Sequence, residues 1–580
     1  MAQSGIIQFL KKYDFQGLNQ MKVCIDPDVD ASNKSRWNRM DRVVKVVDIR
    51  AGLAQGLNQS EASKKSGVPR TTLQYWLSRK STTGVSLVVE AFFETPDGLS
   101  FLHQLVIAAQ FVMSKVGSCG TDLMSLFLRM SQLDQFVACS HGSVHNMSVK
   151  MEEAILAFGK MERSRLSLTM PQKKISICQD ETFHPEICLV AMEPVSNFIL
   201  LEQYDEKRDA EAWSKAMQVE LATLPVEIVQ STSDEGRGLI KYVEQELGAH
   251  HSPDLFHVQQ ELTRATAAPI RSKLKKAETI SQTSTHIIER LERQKNTDTK
   301  QIQVSSSEFD EQLHRAKVDE AVAQHQVVAV KKIQADVKEA KKALGDAYHP
   351  YDMQTGKAQT ADVVSSQLEM HFNTIQAASE ELDLSENSMK RLDKAHRVFK
   401  AMIKTIVFFW TMVTEQVASL ELSPELEQVM NDVLIPVFYL QISAKKARKA
   451  VDRHRINQLA IEILARLELI DSWCALPQSK REQMNTLAKH CATLFQRSSS
   501  CVEGRNGYLA LRHHSSHQLS NRKLCTLTII HNFFIRRADG TTAAERFFEQ
   551  KQKNLFQYLL DHLALPARPA KSRKESAMAA

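Results

Sequence analysis

An alternating run of apolar and polar residues, Lys174-Ile175-Ser176-Ile177-Cys178-Gln179-Asp180, ends on a carboxylate. Alternation with a period of two residues is typical of a β-strand with one buried face. A second run of this kind, Val226-Glu227-Ile228-Val229-Gln230-Ser231-Thr232-Ser233-Asp234, also ends on an aspartate. The sequence therefore predicts two strands that each end in a carboxylate.

The segments around these two runs predict a sheet covered by helices. Two strand-like segments and a helical segment come before the second run, and a helical and a short strand-like segment follow it: Ile187 to Met192, Phe198 to Tyr204, Asp209 to Thr223, Leu239 to Leu247 and Pro253 to Val258. This order of three strands, a helix, a strand, a helix and a strand resembles that of ribonuclease-H-like folds. Strand signals vanish from about residue 259 to 490, so the expected fold class is α+β and mostly helical.

The composition is that of a soluble protein with several domains. The chain has 580 residues, of which 43% are hydrophobic and 24% are charged, and its net charge is +6. This length exceeds a single hydrophobic core, so we expect about three or four domains. Nine cysteines are scattered without a Cys-x-x-Cys pair, which argues against a zinc ribbon or a disulfide scaffold and favours a reducing cytoplasm. The longest apolar run, Thr405 to Thr414, is about half as long as a membrane span, so no membrane association is expected.

The N-terminal region contains a helix-turn-helix pattern near residues 57–80. Asn58 with Glu61 three residues later is typical of a helix start, Gly67 permits a tight turn, and Pro69 fits the first turn of a second helix. Five apolar side chains are spaced to fill the angle between the two helices: Ala62, Val68, Leu73, Trp76 and Leu77. The second helix of such a motif enters the major groove of DNA.

Two sets of residues in this pattern are candidates for DNA contacts. Those expected to face the DNA are Arg70, Thr71, Gln74 and Tyr75, and those expected to meet phosphates are Lys64, Lys65, Arg79 and Lys80. The alternative interpretation is a plain helical hairpin with solvated charges.

A third carboxylate, Glu503, opens a helix-like basic stretch far along the chain, Glu503-Gly504-Arg505-Asn506-Gly507-Tyr508. Two strand-end carboxylates and a third on a later helix suit a site for two divalent ions about 3.5 to 4 Å apart, as in phosphoryl transfer. Mg²⁺ prefers hard oxygen ligands and keeps several waters, so three carboxylates suffice. We expect Asp180 to bridge both ions, with Asp234 and Glu503 completing one each.

Four ordered blocks of sequence resemble those of bacterial insertion-sequence transposases of the DDE class. They are Gln179-Asp180-Glu181-Thr182, Ser233-Asp234-Glu235-Gly236-Arg237-Gly238-Leu239, Asp254-Leu255-Phe256-His257-Val258-Gln259 and Glu503-Gly504-Arg505-Asn506. The third block begins 20 residues after Asp234 (254 − 234), which is similar to the spacing in that class. A gap of 269 residues (503 − 234) separates Asp234 from Glu503, as in members with a large helical insertion.

The resemblance implies a DNA transposase that binds the ends of its mobile element and catalyses metal-dependent strand cleavage and strand transfer. The implied cofactors are two Mg²⁺ or Mn²⁺ ions. The implied partners are double-stranded DNA, as terminal inverted repeats and as target DNA, and further copies of the chain in a homo-oligomer in the bacterial cytoplasm, associated with the nucleoid. Arg505 and Arg512 are expected to contact DNA. The alternative function is that of a catalytically inactive or domesticated relative acting as a DNA-binding regulator.

The expected organisation has five segments. A helical DNA-binding region precedes a ribonuclease-H-like α/β core that a long all-α insertion interrupts, and a disordered basic tail ends the chain. The segments are 1–165 (DNA-binding), 166–262 (first part of the core), 263–497 (insertion, coiled-coil-like at 271–345), 498–565 (last part of the core) and 566–580 (tail).

Two assignments stay open at this stage. Asp254 is an alternative acidic ligand to Asp234, and the glycine-rich turn after Asp234 favours Asp234. His257 either orients a water or a phosphate near the site or is a buried histidine that holds the end of a strand.

Overall fold

The computed structural model describes residue 37 and residues 39–78, 85–184, 186–297, 306–516 and 519–569. These residues are mostly helical and contain one mixed five-stranded sheet. The α+β, mostly helical class expected from the sequence is therefore confirmed.

Helices precede the sheet, and further helices connect its strands. Before the sheet lie α1 (Arg39–Ala54), α2 (Gln59–Ser66), α3 (Arg70–Ser78), α4 (Leu87–Phe92), α5 (Pro96–Ala109), a π-helical continuation (Gln110–Val116), α6 (Thr121–Met130), a 3₁₀ turn (Leu133–Gln135) and α7 (His141–Thr169). The sheet region comprises β1 (Lys173–His184), β2 (Glu186–Glu193), β3 (Phe198–Asp205), α8 (Ala210–Leu221), β4 (Val226–Ser233), α9 (Arg237–Lys241), a π-helical segment (Tyr242–Glu246) and β5 (His250–Pro253).

The rest of the described chain is helical. After the sheet come α10 (Leu255–Thr297), α11 (Ser306–Ala347), α12 (Ala361–Glu380), α13 (Glu386–Ala418), α14 (Pro424–Val429), a π-helical segment (Met430–Leu434), α15 (Ile435–Lys446), α16 (Ala450–Leu464), a 3₁₀ segment (Ala465–Leu469), α17 (Asp471–Cys474) and α18 (Gln478–Thr493). The last helices are α19 (Ser500–Ser516), α20 (Asn521–Phe533), α21 (Ala543–Phe548) and α22 (Leu555–His562).

The sheet has the strand order β3-β2-β1-β4-β5. The first three strands pair antiparallel, whereas β4 pairs parallel to β1 and β5 pairs parallel to β4. The central strand is β1, in which Asp180 lies opposite Val190 of β2. Because β1 and β4 are parallel, their carboxyl ends lie at the same edge of the sheet.

The two faces of β1 pack against different helices. Ile175 and Ile177 belong to a core that also contains Trp213 of α8. Cys178 points to the opposite face, where it packs with Val502 and Leu509 of α19. Side chains alternate along a strand, so Asp180 lies on the same face as Cys178 and faces α19.

The prediction of a strand from Pro253 to Val258 is wrong. β5 ends at Pro253, and α10 begins at Leu255. Asp254 accepts the Phe256 N–H on Oδ1 at 2.8 Å, and an aspartate that accepts a backbone N–H two residues ahead favours a helix start. His257 is therefore in the first turn of a helix, not in a strand.

The helices between β5 and α19 form a long hairpin and a bundle. α10 packs along α11, and at 43 residues α10 is about 64 Å long. The bundle core contains Ile406 and Phe409 of α13 together with Ile435 of α15. This core also takes in Leu255 at the start of α10, so the bundle packs directly against the end of β5.

The two-helix unit α2–α3 has the local geometry that the sequence predicts. Asn58 accepts the Glu61 N–H, Glu61 accepts the Asn58 N–H in return, and Gly67 has a φ of 66°. Val68 and Leu73 are buried in a small core that Trp76 and Leu77 also contact. The predicted capping box, turn and apolar interface are confirmed.

One N-terminal helix with its π-helical continuation is unusually apolar. Pro96–Val116 is long and apolar enough to cross a membrane by length and composition alone. Leu99, Leu102 and Val106 within it are buried in a protein core, which accounts for its apolar character.

The start of the predicted tail contacts the N-terminal helices. The carbonyl of Ala567 accepts a hydrogen bond from the Ala138 N–H at 2.7 Å. The predicted disordered tail is thus held against the protein at its start, and residues 570–580 lie outside the described residues.

A close backbone contact at Gly238 fixes the turn that follows β4. A Cβ atom on Gly238 would lie 2.5 Å from the Arg208 carbonyl oxygen and 3.1 Å from the Asp209 Cα. We expect Gly238→Ala to lower the free energy of unfolding by about 1 to 3 kcal/mol in urea titrations, because backbone has to move. Gly142→Ala in α7 is the control, since nothing lies within 4 Å of its added Cβ and alanine favours a helix. Equal stability of Gly238→Ala and wild type would contradict this account of the turn.

Candidate functional site

Three carboxylates from separate parts of the chain meet at the edge of the sheet. Asp180 lies in β1, Asp234 directly follows β4, and Glu503 is in the first turn of α19. The charges of Asp234 and Glu503 both act to raise the pKa of Asp180, so the three groups interact electrostatically. Asp180 is therefore within electrostatic range of both Asp234 and Glu503.

Asp180 is held by two hydrogen bonds. Its Oδ1 accepts the Glu181 N–H at 2.9 Å, and its Oδ2 accepts the Asn506 side-chain amide at 2.8 Å. Burial raises the pKa of Asp180 to about 6, and the carboxylates of Asp234 and Glu503 add to the rise. His257 opposes it, since a nearby positive charge favours the ionised carboxylate. This carboxyl is thus costly to ionise without a cation beside it.

The neighbouring Glu181 points to the other face of the sheet. Its Oε1 accepts the Trp213 indole N–H at 3.1 Å, and its Oε2 pairs with Arg208 at 3.2 Å. Both carboxylate oxygens are therefore occupied by partners on the α8 side. Of the adjacent acids in β1, Asp180 is the one that faces α19.

Asp234 lies in the turn between β4 and α9. Its Oδ1 accepts the Gly236 N–H at 3.0 Å. Among the described residues no donor lies within hydrogen-bond distance of Oδ2, so that oxygen is available to a ligand. Asp234 also lines a cavity of about 760 Å³, which Asp254 and His257 share.

A second grouping, Asp254, His257 and Glu503, has potential ligand atoms within 4.8 Å of one another. His257 Nε2 is 4.0 Å from Asp254 Oδ2 and is buried without a hydrogen-bond partner in the described part of the chain. Asn506 Oδ1, close to Asp180, is also buried and unpaired there. Buried polar atoms without partners are rare, so both atoms indicate a place for a bound water or ion.

Asp254 has a structural role that Asp234 does not have. It is 1% exposed, its Oδ1 accepts from Phe256, and its Oδ2 accepts the N–H of Ser499 at 3.2 Å and the Ser499 hydroxyl. These bonds tie the end of β5 to the residue that precedes α19. Asp254 is a candidate ligand because it lies near His257 and Glu503. Both of its carboxylate oxygens already accept hydrogen bonds, from Phe256 and Ser499, so the hydrogen bonding favours Asp234 as the second ligand.

The donor set suits a hard divalent cation. Carboxylate oxygens of Asp180, Asp234 and Glu503 are the ligands that Mg²⁺ and Mn²⁺ prefer, whereas an imidazole nitrogen is more typical of Zn²⁺. The raised pKa of Asp180 and the unpaired Asn506 Oδ1 fit a site that a cation and its waters would complete. Burial also raises the pKa of Glu503, and the nearby Asp254 adds to this effect.

Arg505 and Arg512, which the sequence predicts to contact DNA, are buried and hydrogen-bonded within the protein. The Arg505 guanidinium makes two hydrogen bonds to Glu202, of 2.7 and 2.5 Å, and its side chain is only 4% exposed. Arg512 is buried and donates to Tyr508, Ser118 and the Val116 carbonyl. Both arginines lie on the inward side of α19, because residues 502, 505, 509 and 512 form one helical stripe.

The residues of the predicted DNA-reading helix are exposed. Arg70, Thr71, Gln74 and Tyr75 lie on the solvent side of α3, and Lys64 and Lys65 are exposed at the end of α2. Gln74 donates a hydrogen bond to Gln59 at 3.1 Å, and the other predicted contacts, Arg79 and Lys80, lie outside the described residues. None of the described residues of this set lines the cavity that Asp234 lines.

Two residues of the site escaped the sequence analysis. Asn506 follows Glu503 by three positions, and this helical spacing predicts a shared face, so the signal was present. Ser499 carries no such signal, because its bond to Asp254 depends on a contact between residues 245 positions apart.

Comparison with known proteins leaves the family of the chain open. A model of a family of unknown function (DUF6399) matches residues 430–575, from the second half of the bundle to the C-terminal region. This part includes α19 with Glu503 and Asn506 but excludes the sheet. No curated protein and no solved structure matches the chain.

The shifted pKa of Asp180 predicts a pH-dependent stability. The folded protein holds the Asp180 proton up to about pH 6, whereas the unfolded chain releases it near the ordinary value of 3.8. The stability that this proton confers is present below pH 4 and lost as the pH rises through 6. Above pH 6 and without divalent ions we expect Asp180→Asn to be more stable than wild type, by at most about 2 to 3 kcal/mol.

The measurement is urea unfolding at a series of pH values, with the exposed Glu206→Gln as the control. The advantage of Asp180→Asn should vanish below pH 4, and added Mg²⁺ should stabilise wild type more than the variant. A constant difference across the pH range would contradict the account of this carboxyl.

The buried pair of Arg505 and Glu202 predicts a loss of stability in Arg505→Met. Removing the guanidinium leaves a buried carboxylate without its partner, which costs about 3 to 5 kcal/mol. Arg290→Met on the exposed side of α10 is the control for removing an arginine. Wild-type stability with weakened DNA binding in Arg505→Met would restore the original prediction.

Proposed function

We propose that this protein is a DNA transposase with a ribonuclease-H-like catalytic core, which cleaves and joins DNA strands with divalent metal ions. The observation that carries the proposal is the meeting of Asp180, Asp234 and Glu503 at one edge of the sheet. Their order along the chain and the elements that bear them match the order D, D, E of the sequence resemblance. The comparisons with known proteins neither add to this proposal nor oppose it.

The topology of the sheet supports a ribonuclease-H-like core. Three antiparallel strands are followed by two parallel ones in the order β3-β2-β1-β4-β5, with helices between β3 and β4 and between β4 and β5. The helices α10 to α18 then lie between β5 and α19, where the sequence predicts an insertion. Fold alone does not define an activity, so the carboxylates carry the functional argument.

Asp180, Asp234 and Glu503 are the residues that would hold two Mg²⁺ or Mn²⁺ ions. Such ions, when bound, stabilise the attacking and leaving oxygens of an in-line displacement at phosphorus. The chain contributes rigidity to this arrangement. Asn506 fixes the Asp180 carboxylate, and the bonds between Asp254 and Ser499 fix the start of α19, so that Glu503 stays near β1.

His257 contributes a polar atom on the cavity side of the site. Its buried Nε2 has no protein partner in the described chain and lies beside Asp254. In that position it can hold a water or a phosphate oxygen, which was one of the two interpretations of this residue. Because His257 is at the start of α10, the positive end of that helix also faces the cavity.

DNA recognition is assigned in this proposal to the unit α2–α3. The exposed Arg70, Thr71, Gln74 and Tyr75 form one side of α3, as expected for a recognition helix. The exposed Lys64 and Lys65 are placed to meet the backbone. This unit has its own small core, so it is able to present these residues without help from the sheet.

Nicking of a labelled duplex that contains the sequence flanking the gene tests the proposal. In Mg²⁺ or Mn²⁺ the wild type should nick it, and Asp180→Ala, Asp234→Ala and Glu503→Ala should each lose at least about 100-fold in rate. Binding of the same duplex should persist in all three variants, and Glu206→Gln, an exposed acid outside the site, should cleave like wild type.

Each other outcome has a defined meaning. Cleavage by Glu503→Ala at the wild-type rate would overturn the assignment of the third ligand. Loss of cleavage in Asp254→Asn but not in Asp234→Ala would exchange the roles of these two residues. Tight binding of the duplex without any cleavage by wild type would replace the transposase with a DNA-binding regulator.

A further inference from the structure

The cavity at the carboxylates has a second wall that the proposed chemistry does not use. Glu261 and Arg264 of α10 and Lys394 of α13 line the same cavity as Asp234. The wall belongs to the helices between β5 and α19, and thus to the segment predicted as an insertion. Its charge is opposite to that of the catalytic edge.

Three cations converge on one carboxylate in this wall. Arg391 Nη1 lies 2.8 Å from Glu261 Oε2, while Lys394 Nζ and Arg264 Nη1 lie 3.5 and 3.9 Å from Oε1. The cations are half-exposed, with side-chain exposures of 43% for Arg391, 56% for Lys394 and 53% for Arg264. Arg264 and Lys394 line the cavity, and Arg391 joins them at Glu261 with its side chain partly exposed.

The wall carries an excess of positive charge. Besides Glu261, the carboxylate of Glu235 is close enough for Lys394 and Arg397 to lower its pKa, although burial acts more strongly to raise it. On α10 and α13 three cations thus surround the single carboxylate of Glu261. Gathering like charges costs free energy unless an anion is bound there, and the cost is largest at low ionic strength.

We propose that Arg264, Arg391 and Lys394 bind the phosphate backbone of the DNA strand next to the phosphate that is cleaved. This inference rests on the proposed function and adds a role for the helical insertion, which sequence analysis left unassigned. A polymeric phosphodiester is the anion that fits, because the cavity that Arg264 and Lys394 line is also lined by Asp234, and Arg391 lies next to both cations at Glu261. A strand crossing the cavity places one phosphate at the carboxylates and the following ones at the cations.

Glu261 acts in this scheme as an internal competitor for the phosphate. Its carboxylate holds the three cations in position while DNA is absent. Burial would raise the pKa of Glu261, but the hydrogen bond and charge of Arg391 and the charge of Lys394 outweigh it and hold the pKa below its ordinary value. The carboxylate therefore stays ionised, and removing its charge should strengthen DNA binding.

The test is the salt dependence of DNA binding by the full-length chain, measured with a fluorescein-labelled duplex in EDTA. Each phosphate contact contributes about 0.9 to the slope of log K against log salt. In Arg391→Ala/Lys394→Ala we expect the slope to become shallower by about 1 to 2 and the low-salt affinity to fall about 10-fold or more. Glu261→Gln should show the opposite change and bind more tightly than wild type.

The matched control is Lys390→Ala/Lys400→Ala on the same helix. Both lysines are exposed, and Lys390 pairs with Glu386 where Arg391 and Lys394 pair with Glu261. The change in net charge is identical in the two double variants. An unchanged slope and affinity in Arg391→Ala/Lys394→Ala, or an equal loss in the control, would overturn the proposal. Thermal unfolding of each variant shows whether it is folded. If Arg391→Ala/Lys394→Ala does not fold, the binding measurement is made with Arg391→Gln/Lys394→Gln, which removes the charges but keeps long side chains.

The result is separable from the nicking experiment. Binding is measured in EDTA, so it does not depend on cleavage. A protein that never cleaves DNA still supports phosphate binding by these cations if Arg391→Ala/Lys394→Ala, and not the lysine control, makes the salt slope shallower. A protein that cleaves DNA normally while the double variant binds like wild type overturns this inference and leaves the proposed function standing. A wild type that binds no duplex at any salt concentration overturns both.

Discussion

The hydrogen bonds between Asp254 and Ser499 hold the two halves of the site together. They join residues 245 positions apart, at the end of β5 and directly before α19. The described residues between these two points form helices and short connections outside the sheet. The chain thus leaves the sheet, forms a hairpin and a bundle, and returns to the same place. Because both ends of this helical segment meet at the buried Asp254, Glu503 lies near β1 despite the length of the intervening chain.

Placing these carboxylates near one another has an electrostatic cost. The charges of Asp234 and Glu503 act on Asp180, and burial makes the ionised forms of Asp180 and Glu503 less favourable still. A divalent cation would relieve both effects, and bound cations are often the largest charges in such sites. The cationic wall around Glu261 faces the same cavity, so the cavity pairs an edge that suits metal ions with a wall that suits phosphates.

The sequence predicts the local features of this structure better than the distant ones. The capping box at Asn58 and the strand that contains Asp180 depend on neighbouring residues, and both are found. The predicted strand end at Asp180 is wrong, because β1 stays paired with β2 as far as His184. The strand expected after Pro253 fails because Asp254 starts a helix there, and apolar periodicity in a short segment does not separate the two states. Arg505 follows the apolar spacing of Val502 and Leu509, which marks it as buried, but its partner Glu202 lies 303 positions away and is invisible to pattern analysis.

The central claim is that the three carboxylates form a two-metal site, and crystals grown with Mn²⁺ test it most directly by anomalous scattering. The account predicts two peaks about 3.5 to 4 Å apart on either side of Asp180, one next to Asp234 and the other next to Glu503. A single peak among Asp254, His257 and Glu503, with Asp180 keeping only its hydrogen bonds from Glu181 and Asn506, would contradict the account. The same would hold for a site that stays empty at saturating Mn²⁺.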